Sequence, residues 1–518
     1  MPLKSHPFTK GFFCPKLNKR KNLLYHPKRI KTPLIRSGPK GTQTFKEASY
    51  NGILNIINQK VNEVKKHFDF NCILAAFYSG NSGLISMYGP LRLFYQIKGT
   101  ITKGGICNEG GIAGLSEIFG TYSITNPFQI SSPETRLIVN WAANVSSNNN
   151  HVNFLIKNKI KQNTPLIVID SRKISIAKYA DLFLQPFPNS DHLLAKIVLY
   201  KLIKNEILDH KFLEKYVEGY ENLINEVLSI NPSELIPLIG VKEKEIDQFV
   251  GMLSASKSHT IFNIGYGLQK HKYGGRIIQI VSLIQIFLGN IGKPGSGIIY
   301  SQSGFNKPIK EPIINYIIQK SKSSSVKEFE LINLTSELKK EKYKILFIYN
   351  FNPVSSLPNQ DDLRKALCQK GLFTVVLDLF LNETTKYADI VIPVKFDLEA
   401  SDLVFSYYIP GVSIIEGGPC PYENCRSNYD FFRDLAIKMN LNKDGLFNED
   451  HYQLYKNTLK KLPEPIRKKL EEEGYYLLHK NDTILFEDLQ FPTLSKKIQL
   501  TDITFDFETE IINYLNKR

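Results

Sequence analysis

RLIVNWAANVSSNNNHVNFLIKNKIKQNTPLIVID, residues 136–170, opens on an apolar run, crosses a polar stretch of helical length and closes on a second apolar run. Strands with no polar alternation are those buried on both faces, as in parallel sheets. Two parallel strands need a long crossover, usually a helix, so this order and spacing predict a βαβ unit. Downstream, helical stretches fill 191–257, a strand is expected at 259–264 and a helix at about 273–288. Upstream, Leu54, Ile57, Val61 and Val64 recur at helical spacing within 46–66. A strand-like run, CILAAFYSG (72–80), follows them.

The same grammar returns beyond a Ser/Lys-rich stretch that reads as a linker over 301–340, with SKSSS at 321–325. YKILFIYN (343–350), a helix at 360–370, FTVVLD (373–378) and ADIVIPV (388–394) form a second alternating set. Two such units imply a duplicated, nucleotide-type α/β scaffold. In open parallel sheets ligands collect outside the carboxyl ends of the strands. Asn144, then Asp170-Ser171-Arg172, stand at such ends in the first unit; Asn350, Asn352 and Asp378 stand there in the second. Amides and hydroxyls at helix starts suit phosphates, and a carboxylate can accept paired hydrogen bonds from a ribose diol or a guanine edge. Ordinary turn and cap chemistry uses the same residue types, and no GxGxxG is present to decide.

TKGGICNEGGIAGL (102–115) surrounds Cys107 with Gly104, Gly105, Gly110, Gly111 and Gly114. Glycines let a backbone pass close to something bulky, and a thiolate is a soft metal ligand. A buried cysteine in a flexible turn has the same spacing, so both readings stand on pattern alone.

The bulk numbers narrow the class. A chain of 518 residues with 42% apolar residues can bury cores for several domains. No run approaches the ~20 apolar residues of a bilayer span. The N-terminal MPLKSHPFTKGFFCPK has no apolar signal core, so the expected location is cytoplasmic, with no direct membrane span. The net charge of +16 raises nucleic acid as a partner, but the lysines are scattered and no nucleic-acid motif accompanies them, so none is expected. The 6 cysteines are too dispersed for a disulfide framework. Cys72 and Cys368 read as buried small hydrophobes; Cys420 and Cys425, without a second pair, are a weak ligand signal.

Several stretches together resemble one family. They are YHPKRIKTPLIR (25–36), GGICNEGGIAGL (104–115), VIDSRKISIAKYADLFLQPFPNSD (168–191), GYGLQKHKYGG (265–275), LGNIGKPGSG (288–297), NFNPVSSLPN (350–359), DLFLNETTKYADIVIPVKFDLEASD (378–402) and FPTLSKKIQL (491–500). They are similar to the molybdopterin oxidoreductases of the formate dehydrogenase, periplasmic nitrate reductase and thiosulfate/polysulfide reductase type. The resemblance implies two Rossmann-like doubly wound parallel-sheet units and two molybdopterin guanine dinucleotides around molybdenum or tungsten. It implies Cys107 as the protein ligand to that metal. It puts Asn144, Asp170, Ser171, Arg172, Asp191, Gly265, Gly267 and Gln269 along one dinucleotide, and Asn350, Asn352, Asp378 and Thr384 along the other. Asp191 and Asp378 are the expected readers of the guanine edges. Formate dehydrogenases of this type follow the ligand with a histidine, whereas this chain has Asn108. That moves the expected small-molecule substrate from formate toward a sulfur-, nitrogen- or arsenic-oxo species.

By the same resemblance, Cys14 matches the fourth cysteine of an N-terminal iron–sulfur domain, and Lys16 matches the lysine between cluster and pterin. The other three cysteines are not found upstream, and such clusters normally need four. The expectation is therefore that the chain does not complete an electron-transfer cycle alone. An iron–sulfur electron-transfer subunit or a neighbouring chain would supply the rest; otherwise the chain is a non-catalytic pterin-binding or scaffold subunit. The expected divisions are an iron–sulfur remnant at 1–45 and a metal-loop domain at 46–130 plus 395–490. A first dinucleotide domain at 131–300, the 301–340 linker, a second dinucleotide unit at 341–394 and a tail at 491–518 complete them.

Overall fold

The computed structural model describes residues 3–256, 259–319, 326–505, 510 and 512. Its framework is two open sheets. The smaller has five strands in the order Gly297–Ile299, Thr260–Ile264, Leu137–Trp141, Leu166–Ile169 and Leu182–Leu184, all parallel. Leu137–Trp141 and its neighbour Leu166–Ile169 are buried along their whole length, as their unbroken apolar sequences require. Helices cover both faces. Gly274–Phe287 is buried almost all round, so it lies in the core rather than over it.

The larger sheet has eight strands: Lys327–Glu330, Thr100–Lys103, Ile73–Phe77, Ile345–Tyr349, Phe373–Asp378, Ile390–Pro393, Leu34–Arg36 and Phe45–Glu47. The first six run parallel and the last two pair antiparallel at the edge. Helix Tyr50–Lys65 packs Ile53, Leu54, Ile57, Val61 and Val64 inward; Ser49 caps it, its hydroxyl accepting from the Gly52 N–H at 3.2 Å. A three-stranded antiparallel sheet, Asp402–Phe405, Gly411–Ile415 and Tyr475–Leu477, stands beside the larger one.

This architecture cuts across several expected divisions. Strands of 46–130 and 341–394 belong to one sheet, because Ile73–Phe77 pairs with Ile345–Tyr349 in register from Ile73 opposite Ile345 to Phe77 opposite Tyr349. Residues 1–45 contribute a strand, Leu34–Arg36, to that sheet, paired on both sides between Ile390–Pro393 and the edge strand Phe45–Glu47. The span 301–340 is not a plain linker, since it holds helix Ser303–Ile318 and the edge strand Lys327–Glu330. Its SKSSS stretch lies outside the described residues. The 491–518 tail is partly core: Phe491, Ile498, Leu500, Ile503 and Phe505 are buried with Phe119. Cys72 is buried as expected, whereas Cys368 is exposed at the end of helix Gln360–Leu367.

Candidate functional site

The two sheets reverse their winding at equivalent places, and the local geometry there is nearly the same. In the smaller sheet the switch falls between Leu137–Trp141 and Thr260–Ile264; in the larger it falls between Ile345–Tyr349 and Ile73–Phe77. The residue after each first strand, Ala142 or Asn350, has positive φ, 48° and 52° respectively. In each case a glycine from the neighbouring strand end packs on that residue's carbonyl. A Cβ on Gly265 would stand 2.0 Å from the Ala142 oxygen, and one on Gly80 would stand 2.5 Å from the Asn350 oxygen. Two residues further, Asn144 and Asn352 each begin a short helix, Val145–Asn148 and Pro353–Ser356. Asp170 and Asp378 close the next strand in each sheet.

At the first switch point, Asp170 accepts from the Arg172 N–H at 2.9 Å, and burial raises its carboxyl above the usual range. Ser171 and Arg172 are exposed beside it. Asp191 begins helix Asp191–Lys204 and accepts from Trp141 Nε1 at 2.8 Å; burial pushes its carboxyl up to about 6. A Cβ on Gly267 would stand 3.3 Å from the same Ala142 oxygen, tight but far looser than at Gly265. The Asn144 Oδ1 is buried with no partner among the described residues. A buried amide oxygen left unpaired is costly, so the geometry suits a ligand that donates an N–H or O–H there.

At the second switch point a cleft of about 210 Å³ is lined by Gly80, Asn81, Asn350, Asn352, Asp378 and Asp397, among others. Thr384 Oγ1 donates to Asn352 Oδ1 at 2.5 Å and accepts from the Val354 N–H at 3.2 Å. Asn350 ties the strand ends together, donating to Ser86 O at 3.1 Å and accepting from Asn428 Nδ2 at 2.7 Å. The Asp378 carboxylate takes the Leu379 N–H at 2.6 Å and Asn382 Nδ2 at 2.6 Å; burial nonetheless raises it. Asp397, which forms an ion pair with Arg20, keeps Oδ1 buried without a partner among the described residues. Both clefts thus carry unpaired buried acceptors.

Cys107 lies between the two bodies. Its loop leaves strand Thr100–Lys103 of the larger sheet and enters helix Glu109–Phe119, whose Leu115, Ile118 and Phe119 belong to the core of the smaller one. Gln269 Nε2 donates to Cys107 O at 2.6 Å, while its Oε1 accepts from the Gly111 N–H at 2.9 Å. Tyr300 Oη donates to Asn108 O at 3.2 Å, and Tyr78 Oη accepts from the Ile106 N–H at 3.2 Å and meets the Cys107 thiol. The Cys107 side chain is half-buried, so it is open to a ligand. The glycines around it have a partly structural reason. A Cβ on Gly111 would meet Tyr300 Oη at 2.3 Å, and one on Gly114 would meet Gly275 O at 2.5 Å. They allow helix Glu109–Phe119 to cross Gly274–Phe287 closely.

Tyr78, Gly80, Tyr300 and Gln302 were not singled out from the sequence. Gln302 is fully buried, with neither amide atom paired among the described residues. Only Gly80, a glycine just past a strand, carried a readable signal. Cys14 is half-buried and Lys16 exposed, at the short turn Pro15–Leu17. Among the described residues no group of three or more His, Cys, Asp and Glu side chains could hold a metal ion. None of the described helices is long and apolar enough to cross a membrane.

The Molybdopterin oxidoreductase family matches residues 29–438. The chain is 29% identical over 504 residues to a Bacillus subtilis protein named "Probable oxidoreductase YoaE", spanning 96% of this chain and 73% of that one. It is 25% identical over 479 residues to the F420-dependent formate dehydrogenase subunit alpha of Methanocaldococcus jannaschii, spanning 86% and 68%. Against the assimilatory nitrate reductase catalytic subunit of Bacillus subtilis it is 23% identical over 481 residues, spanning 86% and 66%. Its fold is similar to acetylene hydratase from Pelobacter acetylenicus, with a TM-score of 0.72, 20% identity and coverage of 98% and 74%. The family match runs through both sheets and the loop between them, and implies a molybdopterin cofactor with molybdenum or tungsten. This chain therefore belongs to the molybdopterin oxidoreductase family and is an oxidoreductase enzyme.

Proposed function

We propose that the chain is the catalytic core of a molybdenum or tungsten enzyme that holds two pterin guanine dinucleotides, one at each switch point, with Cys107 as the protein ligand to the metal. The observation that carries this reading is the position of Cys107. It sits on the loop joining two sheets whose switch points share the same positive-φ residue, glycine approach, Asn and Asp. When bound, the group would supply two-electron metal redox chemistry with a small substrate.

The chain's own residues would bind and orient. Asn144, with its unpaired Oδ1, and Asp170 would hold one nucleotide; Asn352, Thr384 and Asp378 would hold the other. Gly265 and Gly267 would keep the floor of the first cleft low, and Asn350 the floor of the second. Ser171 and Arg172 would face phosphate or ribose from solvent. Asp191 and Asp378 are the acceptors assigned to the guanine edges, and the bonds from Trp141 and Asn382 set their direction. Gln269 would fix the Cys107 carbonyl and so the direction of the thiol. With Asn108 after the ligand in place of an ionisable histidine, the favoured substrates are small sulfur-, nitrogen- or arsenic-oxo species. On the same reading Lys16 and Cys14 would face an iron–sulfur partner that delivers electrons, and relatives named as alpha or catalytic subunits support such a partner.

The test is expression in a host that makes the cofactor, followed by metal and nucleotide analysis. About one atom of molybdenum or tungsten per chain, with GMP released on mild hydrolysis, is expected. CMP or no nucleotide would remove the guanine assignment. Metal-free protein would turn the reading toward a scaffold subunit.

A further inference from the structure

Beside the second cleft, with which it shares Lys395 and Ala400, the loop GGPCPYENCR (417–426) lines an open cavity of about 580 Å³. Two cysteines of the loop meet there. The Tyr422 carbonyl gathers them: it accepts from the Cys425 N–H at 3.2 Å and from the Cys420 Sγ at 3.4 Å. The two thiols are within hydrogen-bonding reach of each other. Cys420 is half-buried on the cavity side, while Cys425 is 1% exposed, its Sγ 3.9 Å from Ile30 O. Behind them lies the buried ion pair of Arg29 and Glu399, with the Arg29 guanidinium 5.0 Å over the Tyr422 ring. No third ligating side chain completes a metal set with the pair among the described residues, so a bound cation is the weaker explanation.

We propose that Cys420 and Cys425 form a dithiol–disulfide redox site, separate from the metal-ligand loop, that a peroxide oxidises through the cavity. The division of labour follows from the surroundings. The hydrogen bond from Cys425, helped by the Tyr422 backbone against burial and the Glu399 charge, brings the Cys420 thiol down to about 7, so a large share is thiolate near neutrality. The same contact and burial push the Cys425 thiol up, so it stays protonated and in reserve. The Cys420 thiolate attacks one peroxide oxygen; the O–O bond breaks, alkoxide or hydroxide leaves and takes up a proton, and a sulfenic acid remains. The Cys425 sulfur then attacks the Cys420 sulfur. The S–O bond breaks, water leaves with the Cys425 proton, and the disulfide forms. In all, two thiols lose two electrons and two protons, and the peroxide gains them. Because Lys395 N–H donates to Arg426 O at 2.8 Å, the closed loop is tied to a residue that also lines the second cleft.

The whole purified chain is reduced, desalted, titrated with hydrogen peroxide, quenched with iodoacetamide and digested with trypsin. Both cysteines fall in one peptide, Phe396–Arg426. The expected product is that peptide unalkylated and lighter by two hydrogen atoms, appearing at a peroxide concentration about tenfold below that oxidising the exposed Cys368. Dithiothreitol should restore both alkylations. In Cys425→Ser, Cys420 should stop at the sulfenic acid and be captured by dimedone. The proposal is overturned if both cysteines are still alkylated when Cys368 is already oxidised. It is equally overturned if Cys420 passes to sulfinic acid in the native chain while Cys425 remains alkylated.

Discussion

At Cys107 the backbone is held from both bodies while the sulfur is left accessible. Gln269 and Lys270 hold the carbonyls of Cys107 and Ile106, and Tyr78 holds the Ile106 N–H. None of these contacts needs the thiol itself to keep the loop in place. Cys107→Ala is therefore expected to keep the melting temperature of the cofactor-free chain within a degree or two. In the loaded protein, X-ray absorption at the metal edge should lose one sulfur neighbour and turnover should fall to background. An unchanged edge spectrum would remove Cys107 from the metal. Asp191 gives a second residue-scale expectation through linkage. Its folded carboxyl, raised to about 6, lies above the ~3.9 of an unfolded chain, so the native state binds the extra proton between those values. The cofactor-free protein should then lose stability as pH rises from about 4 to about 6, and Asp191→Asn should flatten that part of the profile. Urea midpoints across the range would show it. A profile identical in the two proteins would place the titration elsewhere.

At the scale of elements, the central strands were legible because strands buried on both faces spell continuous apolar runs, whereas the short strands Thr100–Lys103, Leu182–Leu184 and Gly297–Ile299 were not. Which strands share a sheet was not legible either, because periodicity says nothing about partners. The pairing of Ile73–Phe77 with Ile345–Tyr349 joins segments far apart in the chain, and the edge strand Lys327–Glu330 has too few apolar residues to announce itself. The glycines around Cys107 pointed to a close approach, and the approach seen is to Tyr300 and the helix Gly274–Phe287, which the sequence did not name. The unpaired amide of Gln302 could not be foreseen either, since a buried polar side chain looks like any other glutamine in sequence. The switch-point glycines make these distinctions measurable. Gly265→Ala would drive a Cβ into a backbone oxygen that cannot rotate away, at an expected cost of ~1–3 kcal/mol. Gly267→Ala, whose Cβ would stand 3.3 Å from the same Ala142 oxygen, should cost well under half of that. Denaturant melts that rank the two in the opposite order would contradict the close approach.

As a whole molecule, the described residues form separate apolar cores on the faces of the five-stranded sheet and on the faces of the eight-stranded sheet, with a further one beside the three-stranded sheet. The Cys107 loop joins the two sheets, beside the hydrogen bonds from Gln302 N–H to Tyr407 O and from Tyr408 Oη to Asn263 Oδ1, with acceptors on Asn144 and Asp397 at the two clefts that have no partner among the described residues. Cores joined this way unfold as separate cooperative units unless something binds both at once. The cofactor-free protein is therefore expected to show two resolved calorimetric transitions. A group gripped by both clefts and by Cys107 binds the native arrangement of each body and neither unfolded one, so it raises both transitions and couples them. Loading should merge them into one transition at a higher temperature. Cys107→Ala, loaded with cofactor, should retain part of that coupling, because the nucleotide contacts remain while the metal bond is gone. If loading instead moved one transition and left the other where it was, the cofactor would be held by a single sheet, and the matching geometry of the two switch points would reflect a shared fold alone.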